Sequence, residues 1–281
     1  MGKKKNRPLP EEMALPPGGA DSHAHLDFET MAGNLDQVLD RAGKCGVSTI
    51  GQVFLGPDAY LKGRELFTSR PSIFYILGVH PHEASTLDTE TSGHIYSLAR
   101  NDAAIKAIGE TGLDFFYNKS RPEEQRQAFK VQLELARDLD LPVVIHSRDS
   151  ARETLEILQQ MGFRDKKLLW HCFGQDLETA LEVLGHGWFI SVPGSITFAK
   201  NIQLREIVKE IPVDRLLLET DCPFIAPEPY RGKQNEPALL VFTALEAARS
   251  KGMDAGELWK ICGDNCRSFF GVRHETESSR I

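Results

Sequence analysis

The chain has 281 residues, 41% hydrophobic and 26% charged, a balance that fits a globular protein and excludes a disordered or fibrous one. Its formal charge of -7 excludes a general cationic surface for nucleic acid, so a polyanionic substrate must be met by local cations or by metal. Scattered cysteines, no apolar run near the roughly 20 residues of a membrane span, and no apolar stretch after Lys3, Lys4 and Lys5 predict a cytoplasmic protein with reduced thiols.

Residues 1–17 are basic and Pro-rich and read as a flexible extension. Pro16, Pro17, Gly18 and Gly19 then lead into a first strand carrying Asp21-Ser22-His23-Ala24-His25-Leu26-Asp27. Residues two apart on a strand face one side, so His23 and His25 converge on one point, as a transition metal requires. Leu35, Val38, Leu39 and Ala42 give a helix near 33–44, followed by a strand at 47–54 and a helix from Pro57 to Phe67. A third strand over 73–80 ends in His80, with His82 just beyond, and a helix ends near Ala99. The fourth strand, 105–110, ends in Glu110, and 111–118 reads as a loop. Pro122 opens the clearest helix, 122–139, with Phe129, Leu133 and Ala136 on one face.

Strands five to eight are predicted at 142–146, 167–171, 188–192 and 215–221, separated by helices at 150–161, up to Leu184, and at 201–209. A Pro-rich loop, 222–237, precedes two closing helices near 238–250 and 255–270 and a polar tail, 273–281. Eight strand–helix units predict a parallel sheet closed into a (β/α)8 TIM barrel, a single domain over 18–272 with an extra C-terminal helix. The strand runs are continuously apolar, as expected when helices cover the outside and side chains fill the inside.

Active sites of such barrels lie at the C-terminal ends of the strands. Glu110, His146, His171 and Asp221 fall there, with His23 and His25 on the first strand. Six nitrogen and oxygen ligands exceed what one tetrahedral zinc needs and suit two divalent ions, an arrangement common among phosphoryl-transfer hydrolases. On this reading Glu110 bridges, His23, His25 and Asp221 serve one ion, and His146 and His171 serve the other.

The ordered motifs His23-Ala24-His25-Leu26-Asp27, Gly78-Val79-His80-Pro81-His82, Gly109-Glu110-Thr111-Gly112-Leu113-Asp114, Ile145-His146-Ser147-Arg148, His171-Cys172-Phe173 and Glu219-Thr220-Asp221-Cys222-Pro223 resemble those of TatD-type metal-dependent deoxyribonucleases. Tyr230-Arg231-Gly232-Lys233-Gln234-Asn235-Glu236-Pro237 does so as well. The pattern departs at Gly174-Gln175, where Ser-Gly is usual. The resemblance implies a TIM barrel of the amidohydrolase-like superfamily, two divalent ions (Mg, Zn, Mn or Ni), and phosphodiester hydrolysis, often 3′-to-5′ exonuclease action on DNA. No membrane and no obligatory protein partner are implied.

Within that frame Asp221 is the candidate to accept the proton of the attacking water. Arg231 and Lys233 are candidates to grip phosphate, and His80 and His82 to contact phosphate or protonate the leaving oxygen. Glu219 reads as a buried partner of the ligands, and Phe115, Phe116 and Tyr117 as either core packing or base-stacking residues. The competing reading is an amidohydrolase acting on a C–N bond, in which a modified lysine on the fourth strand bridges the metals. Lys106 stands at that strand's opposite end. A metal-binding module without catalysis would predict lost ligands, and all six are present.

Overall fold

A computed structural model describes residues 7–272. Eight parallel strands follow one another around the sheet in chain order: β1 (Gly19–Ala24), β2 (Val47–Leu55), β3 (Ile73–Gly78), β4 (Ile105–Asp114), β5 (Val143–Arg148), β6 (Leu168–Trp170), β7 (Phe189–Val192) and β8 (Leu216–Leu218). The last strand returns to the first, where the Asp221 amide donates to the His23 carbonyl at 2.9 Å and the His25 amide to the Cys222 carbonyl at 2.8 Å. Helices α1 (Glu29–Ala32), α2 (Leu35–Lys44), α3 (Pro57–Gly63), α4 (Thr89–Asn101), α5 (Pro122–Leu139), α6 (Ala151–Gln160), α7 (Leu177–Gly185), α8 (Ile202–Glu210) and α9 (Leu240–Lys251) connect them or close the ring. This is the expected (β/α)8 barrel, and α10 (Ala255–Phe270) is the added helix.

Alternate strand residues separate two cores, as the pleat dictates. Val53, Ile76, Ala107, Val144, Leu169 and Leu217 fill the barrel, while Val143, Ile145, Leu168, Trp170, Leu216 and Leu218 pack outward. Phe269 and Phe270 of α10 join the inner set; Phe270 lies 4.4 Å from the Phe74 ring and Phe269 5.1 Å from Phe189. They plug the end of the barrel away from the ligands. Truncation of a packed Phe costs about 3–5 kcal/mol, so α10 is part of the core rather than an appendage.

Three expectations change. Residues 7–17 are held rather than loose: Arg7 Nε donates to the Pro229 carbonyl at 2.8 Å, Tyr230 Oη to the Pro8 carbonyl at 3.0 Å, and Trp259 Nε1 to the Pro16 carbonyl at 2.8 Å. The rest of the expected extension, 1–6, and the tail 273–281 lie outside the described residues. Second, β4 does not stop at Glu110. It continues through Asp114, pairing Thr111–Asp114 with Ile145–Arg148 of β5 after a register shift. The glycines that suggest a loop serve the close approach instead: Gly112 has φ 140, and a Cβ there would sit 2.0 Å from the His146 carbonyl oxygen. Third, the helix begun at Pro57 ends at Gly63 and gives way to a tighter turn over Arg64–Leu66.

Candidate metal centre

The β1–β8 closure sets the first half of the site. Asp21, buried in β1, accepts the Thr220 amide at 2.9 Å and the Thr220 hydroxyl at 2.5 Å, tying the strand that carries His23 to the turn that carries Asp221. Burial pushes the Asp21 carboxyl up to about 7 against those hydrogen bonds. Asp221 takes a left-handed backbone conformation (φ 53), which Asp tolerates better than most residues. Its Oδ1 lies 3.4 Å from His25 Nε2 and 3.8 Å from His23 Nε2. Glu110 Oε2 is 3.4 Å from His23 Nε2 and 3.9 Å from His25 Nε2. Ligands about 2.1 Å from a tetrahedral ion stand about 3.4 Å apart, so this quartet has the spacing of a coordination shell rather than of a hydrogen-bonded cluster. His23 Nε2 is buried and has no hydrogen-bond partner among the described residues, the atom a metal would satisfy.

The other oxygen of Glu110 faces a second group. Oε1 lies 2.6 Å from His146 Nδ1, 2.9 Å from His171 Nε2 and 3.4 Å from His80 Nε2. One carboxylate thus presents one oxygen to each of two imidazole sets. Burial opposes ionisation of Glu110, but His171, His80 and His146 outweigh it and hold the group well below the ordinary carboxylate range. Burial likewise disfavours charge on His171, yet Glu110 and Glu219 hold it well above 6.5. His171 Nδ1 stands 3.4 Å from Glu219 Oε1, an ion-pair distance, and Ser191 Oγ donates to the other Glu219 oxygen at 2.5 Å.

Asp114 was not singled out by sequence reasoning. Its Oδ2 lies 2.9 Å from His82 Nε2 and 3.2 Å from His146 Nε2, and its Oδ1 accepts the Phe116 and Tyr117 amides at 3.1 and 2.8 Å. Desolvation is overcome by these bonds, and the carboxylate stays ionised well below its usual range. With a carboxylate at each ring nitrogen, the pKa of His146 is raised despite burial. The His80 ring is oriented differently: Nδ1 accepts the His82 amide at 3.0 Å, which leaves the proton on Nε2, and burial lowers its pKa to about 4. Asp114 closes the motif Gly109–Asp114 and shares parity with Glu110 and Gly112, signals hidden by reading 111–118 as a loop.

Buried amides fix the strand ends and were also missed. Gln132 of α5 accepts the Val79 amide at 2.7 Å and donates to the Val79 carbonyl at 2.9 Å, placing His80. Gln125 of α5 accepts the Asp114 amide at 2.8 Å, and Gln52 of β2 accepts the Leu26 amide at 2.7 Å. The two glutamines interrupt the apolar stripe of α5 at two-turn spacing, the signal that could have revealed them.

Arg231 and Lys233 are the expected phosphate grips. Both are exposed and do not line the cavity above the ligands; the Arg231 guanidinium sits 4.1 Å from the Phe198 ring. The loop is anchored where Asn235 Nδ2 donates to the Thr220 and Phe224 carbonyls at 2.8 and 2.7 Å. The cavity measures about 840 Å³, enough for a nucleotide, and its lining cations are Lys119 and Arg148. His80 and His82 do line it.

Two consequences are measurable. Asp114→Asn should weaken divalent-metal affinity about 10- to 100-fold, the usual effect of removing the partner that orients a ligating histidine. Calorimetric titration of parent and variant with Zn2+ or Mn2+ checks this. The second concerns pH. A folded-state pKa above the unfolded value, as at His171 and His146, stabilises the metal-free protein at low pH, and that stability is lost as pH rises above about 6.5. Bound metal requires those imidazoles deprotonated, so its stabilisation grows over the same range. Scanning calorimetry should show the Tm gain from metal widening between pH 6 and 8, with proton release on titration; an unchanged gain contradicts the cluster.

The family described as TatD related DNase matches residues 20–271. The chain is 34% identical over 252 residues to the uncharacterized metal-dependent hydrolase YabD of Bacillus subtilis, covering 90% of this chain and 98% of that one. It is 36% identical over 260 residues to a protein of Erwinia tasmaniensis named 3'-5' ssDNA/RNA exonuclease TatD, covering 90% and 99%. The crystal structure of YjjV, a TatD homolog from Escherichia coli K12, superposes with a TM-score of 0.85 at 26% identity over 91% of this chain and 98% of that one. With a barrel closed around paired imidazoles and carboxylates, and a family match over nearly its whole length, the chain belongs to the TatD family of metal-dependent hydrolases.

Proposed function

We propose that this protein is a deoxyribonuclease that uses two divalent ions to hydrolyse phosphodiester bonds of DNA, removing nucleotides in the 3′-to-5′ direction. The observation that carries this reading is Glu110, with Oε2 toward His23 and His25 and Oε1 toward His146 and His171. His23, His25 and Asp221 would hold one ion, His146 and His171 the other, and Glu110 both. The exonuclease name of the Erwinia relative supports the substrate class. The free state of all five cysteines, and the absence of a helix long and apolar enough to cross a membrane among the described residues, support a reducing, cytoplasmic setting.

Bound ions of this kind lower the pKa of a water molecule and neutralise charge on the phosphate. The chain's own groups do the rest. Asp221 stays ionised although buried, because His25, His171 and His23 surround it, and its carboxylate accepts the proton of the attacking water. His80 Nε2–H donates a hydrogen bond to a phosphate oxygen. His82, whose Nε2 contacts Asp114, gives a proton to the leaving oxygen. C–N hydrolysis by way of a bridging lysine is disfavoured because Lys106 is the second residue of β4, toward the end of the strand away from the ligands.

A substrate panel tests the reading. The metal-loaded protein is assayed on single-stranded DNA, duplex DNA, RNA, a phosphomonoester and a cyclic amide. Turnover of nucleic-acid ends with 5′-mononucleotide products is expected. Turnover of the cyclic amide alone would replace phosphodiester hydrolysis with the C–N reading.

A further inference from the structure

Phe115, Phe116 and Tyr117 are equivalent in sequence, and the structure separates them. Phe115 packs against the core, with the Arg126 guanidinium 5.6 Å from its ring. Phe116 and Tyr117 are 56% and 54% exposed, with ring centroids 4.9 Å apart. The Arg148 guanidinium lies over both, 4.1 Å from the Phe116 ring and 4.7 Å from Tyr117, because β4 pairs Asp114 with Arg148. Among the described residues no carboxylate lies within ion-pair distance of Arg148, and Arg148 and Tyr117 both line the cavity above the metal ligands.

We propose that Phe116, Tyr117 and Arg148 form the subsite for the terminal nucleotide of a single strand, the Tyr117 ring stacking on its base, Phe116 backing that ring edge-on at 89°, and Arg148 pairing with a backbone phosphate. The proposal rests on the phosphodiesterase reading and names the part of the substrate that the metal ligands do not touch. Three observations point to a nucleotide rather than an apolar molecule. The exposed rings carry a guanidinium on their faces, so the surface is both π-rich and cationic, the pairing that holds unpaired bases and their backbone. Arg148 supplies positive charge at the mouth in a chain of net charge -7, where a polyanion needs it. Finally, the platform is fixed relative to the metal ligands. Asp114 holds the Phe116 and Tyr117 amides with one oxygen and the rings of His82 and His146 with the other. A base on the Tyr117 ring is thus held in register with the reacting phosphate. In a duplex only the end pair has a free face and its base is tied to its complement, whereas an unpaired terminal base can turn onto the ring, so the subsite favours single strands.

The test uses the Mn2+-loaded protein and two single-stranded oligonucleotides, one ending at its 3′ side in 2-aminopurine and one in an abasic tetrahydrofuran residue. Binding is read from 2-aminopurine fluorescence and cleavage from kcat/KM. Loss of the base should cost the parent about 10- to 100-fold in kcat/KM, the range for one stacked base. In Phe116→Ala/Tyr117→Ala that penalty should shrink to a few-fold at most, and the quenching of 2-aminopurine should disappear. Tyr117→Trp in a Phe116→Ala background should restore both, which separates stacking from a folding defect. Cleavage with the same abasic penalty in parent and double variant would overturn the subsite and leave the phosphodiesterase reading intact. Quenching without cleavage would keep the subsite and overturn that reading; neither signal in the parent would overturn both.

Discussion

Glu110→Gln is expected to lower kcat/KM on single-stranded DNA by on the order of 10³-fold or more, the several kcal/mol that metal charge supplies to a phosphoryl-transfer step. Glutamine has the shape of glutamate, so the site keeps its packing. It lacks the charge, and one of its two terminal atoms carries hydrogens, so it cannot serve both the His23–His25 side and the His146–His171 side. Bound metal should fall from two equivalents to one or none, read by elemental analysis after desalting. The metal-free variant also loses the counter-charge that raises the pKa of His171 and His146, with Glu110 only 2.6 Å from His146 Nδ1. Its low-pH stability should therefore drop relative to the parent. Two bound equivalents with parental turnover would remove Glu110 from the centre of the account.

Asp221→Asn is expected to lose about 10²–10⁴ in kcat, the usual contribution of a positioned base. Its carboxylate is 3.4 Å from His25 Nε2 and stays ionised despite burial, so it can both ligate and take a proton. The two roles are separable. Asn is a poorer ligand, so metal content and kcat must be measured on one preparation at saturating metal. A fully metallated Asp221→Asn protein with near-parental kcat would transfer the base to another group, with His80 or His82 next in reach. Folding should survive, because the backbone bridges from Asp221 to His23 and from His25 to Cys222 do not involve the side chain.

The barrel was legible because its information is local and repeated. The strands are largely apolar runs, five of them with a candidate ligand at or near the end, and alternation along them puts Val144, Leu169 and Leu217 in the inner core beneath His146, His171 and Asp221. What escaped depended on partners distant in sequence. Gly112 looked like a breaker, but its missing side chain admits the backbone of β5, and with β4 cut short Asp114 fell into a supposed loop. Arg231 and Lys233 looked like grips because only their proximity to strand eight could be read. The structure adds that Asn235 anchors their loop to Thr220 and Phe224 and that neither side chain lines the cavity above the ligands. Arg148 had the opposite fate: nothing in Ile145-His146-Ser147-Arg148 announces that pairing with β4 lays its guanidinium on Phe116 and Tyr117.

The claim that two ions share Glu110 and act together is tested most directly by titrating the metal-stripped protein with Mn2+ while following hydrolysis of a 5′-labelled single-stranded oligonucleotide and counting bound ions on the same samples. Negligible turnover up to one equivalent, a steep rise toward two, and loss of turnover on chelation are the results predicted. Full activity at a single equivalent, or activity that survives complete removal of metal, would contradict a shared two-ion centre.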